Sequence, residues 1–230
     1  MRPAILVGLM ALLGRVVVAQ AQPDVAEIMK RVSKTYTDVI EYEFVSETRT
    51  TLQEEPRVRR QLFAFRVPNQ YRKEVTELRS PDDAPEPKDI VMVHDGSMLW
   101  TYSGKINQYS SVPADKLAEN AAGIFQTPDA MDGSWSRKYR LAGLFGGWAK
   151  LLREEEIEVA GVKHDCFVIA NPDLYYGPFT WWVDKTSFRV VREDTDYEST
   201  TFTTIKLGEA LPADLFRFAP PPGAYKSNQN

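Results

Sequence analysis

Residues 89–112 read DIVMVHDGSMLWTYSGKINQYSSV, three alternating apolar runs broken at Asp95-Gly96 and again at Ser103-Gly104. Asp-Gly between alternating runs is a strong short-range signal for a β-hairpin, and a second glycine turn beside it makes an antiparallel meander. Side chains alternate along a strand. Trp100 and Tyr102 therefore share one face of the middle strand, while Leu99, Thr101 and Ser103 share the other. One face of the meander carries bulky rings, and the chain on either side must supply the layer that packs against them.

Upstream, residues 42 to 52, 57 to 67 and 70 to 78 have the same period of two and are rich in Thr, Val, Phe and Tyr. They are separated by Glu54-Glu55-Pro56 and by Pro68-Asn69. Ser80 to Lys88, with three prolines and three acidic residues, reads as a solvated loop. Further back, Asp24 with Glu27 resembles a capping box. Val25, Ile28, Met29, Val32, Tyr36 and Val39 follow at helical spacing, so one amphipathic helix ends near Asp38.

Downstream the pattern changes. Ala114 to Phe125 reads as helical, Thr127 to Ser134 as turn, and Ser136 to Leu152 carries Leu141, Leu144, Phe145, Trp148 and Leu151 at near-helical spacing. Residues 113–149 thus form a helical, lid-like insertion between two sets of strands. Strand patterns resume in the hairpins Ile157–Val159/Val162–Ala170 and Pro178–Asp184/Phe188–Asp194, and in Thr200–Leu207. The prolines of LFRFAPPPGAY place the end of the fold at a sheet edge. About ten or eleven strands in one antiparallel order curl strongly, giving an incomplete β-barrel in a mainly β chain with an N-terminal helix and a lid.

The 230 residues suit a single domain, and 28 basic against 32 acidic residues lack the cationic excess that nucleic acid binding needs. Arg2, the apolar run from Ile5 to Val18 and Ala19-Gln20-Ala21 read as a secretory signal peptide over residues 1–21, cut after Ala21. The mature domain spans residues 22–230 and is expected to be a monomer. Cys166 is the single cysteine, so no internal disulfide is possible. His164 lies two positions away on the same strand face, about 6–7 Å along, which is beyond hydrogen-bond reach. We read Cys166 as a small buried hydrophobe.

Taken in order, YEFVSETRTT, FAFRVPNQYRKEV, VHDGSMLWTYSGKINQY, FTWWVDKTSFRVVRED and LPADLFRFAPPPGA resemble the periplasmic outer-membrane lipoprotein carriers, the LolA-like proteins and their lipoprotein-sorting relatives. The similarity runs from about Val25 to Tyr225. It implies a strongly curved antiparallel sheet closed by helices, with an apolar cavity for the acyl chains of a lipoprotein or lipid. It also implies a periplasmic carrier that meets transient partner proteins at the inner and outer membranes and needs no cofactor. In such carriers an arginine on an early strand holds the lid; Arg49, Arg59, Arg60, Arg66 and Arg72 all remain open for that role. The long insertion and the Trp181-Trp182 pair depart from the family pattern, so a lipid-like ligand is weighed beside a lipoprotein. The alternative is a cell-envelope module that uses the same fold to sense lipoproteins or bind a protein.

By strand parity, the expected cavity wall is Phe44, Phe63, Phe65, Trp100, Tyr102, Phe179, Trp181 and Val183, with Phe145 and Trp148 contributed by the lid. Each of these rings could instead be ordinary core. Asp95, beside His94, is explained by its turn. Asp194, Asp196 and Glu198 lack the glycine and the further oxygen ligands of a calcium loop. No Ser-His-Asp order, phosphate loop or zinc spacing occurs, so we expect neither catalysis nor a metal.

Overall fold

A computed structural model describes residues 23–50, 57–78, 88–117, 138–171 and 178–227. The expected signal peptide, residues 51–56, the Pro-rich loop, most of the insertion and residues 172–177 lie outside the described residues. Helix α1 (Val25–Tyr36) starts at Asp24, whose carboxylate accepts the Ala26 N–H at 3.0 Å. It ends at Thr37, just before Asp38 turns into the left-handed region at φ 63°.

The strands are β1 (Glu41–Thr50), β2 (Val58–Arg66), β3 (Gln70–Leu78), β4 (Ile90–Asp95), β5 (Met98–Ser103) and β6 (Gln108–Pro113), followed by β7 (Lys150–Val159), β8 (Val162–Asn171), β9 (Phe179–Asp184), β10 (Val190–Thr195), β11 (Glu198–Leu207) and β12 (Tyr225–Lys226). They form one 12-stranded sheet in the order β12-β6-β5-β4-β3-β2-β1-β11-β10-β9-β8-β7. Two antiparallel meanders, β2 to β6 and β7 to β11, are joined by β1 pairing with β11. The sheet is curved and unclosed, and β7 and β12 are its free edges. The closing β12 pairs with β6 in parallel, the one departure from antiparallel order among the described strands.

The expected 89–112 meander is present, with one correction. Its second turn is a 3-10 segment (Gly104–Ile106) leading to Asn107 at φ 48°, so β6 begins three residues later than the alternation suggests. Gly104 is required there: a Cβ would lie 2.2 Å from the Lys88 carbonyl oxygen. A second correction concerns the insertion. Its helical spacing over Ser136 to Leu152 resolves into helical residues 138–140 and a short α3 (Ala142–Phe145), and β7 starts at Lys150 rather than Ile157. After β6 a further short helix, α2 (Ala114–Leu117), leads out of the described sheet.

One face of the sheet carries the main core and is covered by α1. Along a single register row, Leu207, Tyr42, Phe65, Tyr71, His94, Leu99 and Val112 stand side by side from β11 to β6. Leu99 on β5 and Ile169 on β8 join one apolar cluster with α1, so this face is the concave, inner one. The outer face carries three smaller clusters, two of them covered by the C-terminal segment through Phe216 and Phe218.

Candidate functional site

The inner face is the candidate site. Ile28, Met29, Val32 and Tyr36, the apolar stripe of α1, are buried on it. Each such side chain contributes about 1.5–3 kcal/mol by leaving water. The Val190 N–H donates to the Tyr36 hydroxyl at 3.0 Å, tying the end of α1 to the start of β10. Burial holds that hydroxyl protonated far above its ordinary range.

Helix α3 lies against α1. A Cβ on Gly146 would come within 2.9 Å of the Ala26 Cα, so this approach depends on glycine. The Ser33 hydroxyl donates to the Arg140 carbonyl across the same contact. Tyr139, just before α3, is buried with its ring centroid 4.8 Å from Tyr36 and 5.3 Å from Trp181. Burial, and then the charge of Glu193, raise its pKa well above the ordinary value. Trp181 is fully buried, and its indole N–H donates to Glu193 at 2.7 Å. Glu193 also receives the Lys138 ammonium. The stretch preceding α3 is thereby anchored to the sheet.

Of the expected wall, Phe44, Phe63, Phe65, Trp181 and Val183 are buried together on the inner face, and Phe179 and Phe145 are half-buried against the same cluster. Trp100 and Tyr102 are not there. They lie on the outer face with Val91 and Val93, and Trp100 stacks on Phe218 at 5.4 Å and 11°. The inner residue of β5 is Leu99. Trp148 is 60% exposed and lines nothing. Sequence reasoning missed Tyr42, Tyr71 and Phe202, of which Tyr42 has the parity of Phe44. It also missed Tyr139, which gave no periodic signal.

The face is not apolar throughout. A second row runs Leu151, Ile169, Trp181, Glu193, Thr200, Thr48, Arg59 and Glu77, greasy at β7 to β9 and polar by β2 and β3. At its polar end Thr48, Thr50, Arg57, Arg59, Glu77 and Glu198 line a cleft of about 190 Å³.

Of the five arginines left open for a lid contact, Arg59 alone has inward register. Arg49 alternates outward beside Thr48. Arg60 pairs with Glu47 at 2.7 Å, Arg66 with Glu41 at 3.0 Å, and Arg72 with Glu74 at 2.5 Å. Arg66 and Arg72 also donate to carbonyls of the C-terminal segment, at Leu211 and Leu215. Most of the insertion that such an arginine would hold lies outside the described residues.

The polar candidates have structural work. Asp95 accepts from Ser97 N–H, Met98 N–H and the Ser97 hydroxyl, and from Trp100 Nε1 at 3.2 Å. Burial pushes its carboxyl up, and these bonds outweigh that and hold it below the ordinary value. His94 accepts the Gly96 N–H through Nδ1, and burial lowers its pKa. Asp194 is engaged by Arg192 and by the Ser199 hydroxyl. Cys166 is buried on the outer face, and burial, then the Asp184 and Asp165 charges, push its thiol up to about 12. The His164 ring bonds Asp184 at 3.0 Å, not the thiol. Among the described residues no cluster of His, Cys, Asp and Glu could hold a metal, and no helix is long and apolar enough to cross a membrane.

No family model matches the chain, and no curated protein matches it. Among solved structures it is similar to LprF from Mycobacterium bovis, at 16% identity over 84% of this chain and 96% of that one, with a TM-score of 0.45. It is also similar to a LolA superfamily protein from Nitrosomonas europaea, at 13% identity over 86% and 99% of the two chains, with a TM-score of 0.35. A third likeness is to the MucA/MucB complex of Pseudomonas aeruginosa, at 16% identity and a TM-score of 0.43, where 86% of this chain covers 62% of the matched one. In that case the chain spans less than two thirds of its neighbour. No residue role passes from these likenesses to this chain.

Proposed function

We propose that this protein binds the acyl chains of a lipoprotein or lipid on its inner face and carries them through the periplasm from inner to outer membrane. The observation that carries this reading is the register row from Leu207 to Val112. It is a broad, nearly continuous apolar wall whose described cover is α1 with the short helices α2, through Leu117, and α3. An acyl chain crossing water must be hidden, and each buried methylene is worth about 0.8 kcal/mol. The helical cover occupies the wall in the described state, so entry of a ligand requires the cover to lift. Loading and release then fall to transient membrane partners, with the carrier acting as a monomer and without covalent chemistry.

Delipidated protein is expected to take up a dansyl-labelled fatty acid. Two neighbouring residues give the decisive comparison. Leu99→Asn places an amide in the wall and weakens uptake, whereas Trp100→Ala, one residue along on the outer face, leaves uptake unchanged. Absence of uptake by folded wild-type protein refutes the carrier reading. A second reading, a module that binds a protein at the envelope, is favoured by the exposed apolar side chains Leu144 (68%), Trp148 (60%) and Leu152 (53%) at the α3–β7 junction. A stable protein complex lost on Trp148→Ser, together with an inner face that never takes up lipid, selects it.

A further inference from the structure

Lys73 has a place on the inner face that its chemistry does not explain. It stands on β3 between Phe63 of β2 and Met92 of β4, in the row adjoining Phe65, Tyr71 and His94. Phe63 and Met92 belong to the apolar cluster around α1. The ammonium makes no hydrogen bond or ion pair with a described residue. The adjacent acid, Glu74, points to the other face and is taken by Arg72 and Lys88. Burial, and then the charge of Arg59, disfavour the protonated form of Lys73. A cation in such a place is costly unless an anion joins it.

Arg59 is the next inward-facing cation. It lies four residue pairs beyond Lys73 along β2 and β3, the second inward-facing pair; its guanidinium borders the polar cleft, and its one ion pair among the described residues, to Glu198, is long at 3.5 Å. Its Nε is buried without a hydrogen-bond partner. Gln61 and Val75 pair between the two cations. The inner face therefore passes from a greasy wall, through an unpaired ammonium, to an under-bonded guanidinium, which is the polarity profile of an anionic amphiphile.

We propose that Lys73, with Arg59 beyond it, holds the ionised head group of the ligand whose tail lies on the apolar wall. The assignment rests on the acyl-binding reading above. It names the ligand class as an amphiphile ending in a carboxylate or a phosphate, the two head groups that a lysine–arginine pair receives with charge-assisted hydrogen bonds.

The test measures binding of 11-(dansylamino)undecanoic acid and of its methyl ester by wild-type protein, Lys73→Met and Arg59→Gln. Wild type is expected to prefer the acid by about tenfold, the gain of one charge-assisted bond. Lys73→Met should bind acid and ester alike, with ester affinity unchanged and thermal stability equal or higher, because the substitution removes an unpaired cation from an apolar setting. Arg59→Gln should reduce the preference in part. Displacement of the acid probe by palmitate or by lysophosphatidic acid supports the assignment and reports which head group is preferred. Equal displacement by uncharged glycerol monopalmitate overturns it. Equal wild-type affinity for acid and ester also overturns it while leaving the acyl-binding reading intact. Failure of wild type to bind either probe defeats both.

Discussion

Replacing Tyr36 with Phe removes one oxygen atom and tests whether α1 is the moving cover. That oxygen accepts the buried Val190 N–H at 3.0 Å, and the ring that carries it packs on Tyr139 and Phe44. The Phe ring keeps the packing and leaves the N–H unsatisfied, a loss of about 1–3 kcal/mol. Urea unfolding followed by circular dichroism should show this as a lower midpoint at unchanged slope. If the cover lifts to admit ligand, the same bond is absent from the open form, so only the closed form loses it. Apparent affinity scales with the fraction of open protein, and each 1.4 kcal/mol is tenfold. Uptake of the dansyl probe should therefore tighten by about fivefold to a hundredfold, up to the point where the open form predominates. Stability and affinity move in opposite directions, which general damage to the fold does not produce. A variant that is destabilised by this amount yet binds the probe no more tightly refutes α1 as the gate.

Two further outcomes follow from local geometry. Gly146→Ala pushes a methyl into the Ala26 backbone at 2.9 Å and should cost about 1–3 kcal/mol, read as a fall in melting temperature, while Gly147→Ala, with nothing within 4 Å, serves as the neutral neighbour. Acid lability should come from Asp95 and Asp184. Burial pushes the Asp184 carboxyl up, but bonds from the Ser187 N–H and hydroxyl and from His164 leave it, like Asp95, below the ordinary value. A depressed folded-state pKa stabilises the fold above the unfolded value, near pH 4, and that stability is lost as pH falls through the folded value. Unfolding midpoints should decline gently below about pH 6.5, where the unfolded chain protonates His94 more readily than the fold does, and then more steeply below about pH 5, and the steep limb should be shallower in Asp95→Asn/Asp184→Asn. An unchanged acid limb in the double variant counts against the assignment.

The parts of the fold legible in the sequence are those with a local cause. Asp95-Gly96 makes a hairpin because the Asp95 carboxylate satisfies the turn's own donors. The α1 stripe is legible because helical spacing alone puts Ile28, Met29, Val32 and Tyr36 on one side. The start of β7 was hidden for an equally physical reason. Arg153-Glu154-Glu155-Glu156 shows no apolar alternation because β7 is a free edge, where charge rather than burial is needed to prevent pairing with another chain. The Tyr139 anchor was hidden because its position depends on Trp181, Tyr36 and Glu193, which come from three separate stretches of chain.

The misplacement of Trp100 and Tyr102 is a limit of parity itself. Alternation separates two faces but assigns neither to the interior, and the larger rings make a natural choice for it. On β5 both faces are covered: Leu99 by the core around α1, and Trp100 and Tyr102 by Phe218 and Ala224 of the proline-rich tail. Only cross-strand register settles the matter, since His94 opposite Leu99 continues the row from Phe65 and Tyr71, while Val93 opposite Trp100 leads to the outer cluster. The same register shows that the inner wall near β4 to β6 is made of smaller groups, Met92, Leu99 and Val112, than the ring-lined wall at β1, β2 and β9. The larger rings that would have filled this part of the curved face are turned outward beneath the tail. The wall at β5 and β6 is thus built of aliphatic side chains, with the flexible Met92 beside them on β4, and these adapt to an acyl tail more readily than stacked rings do.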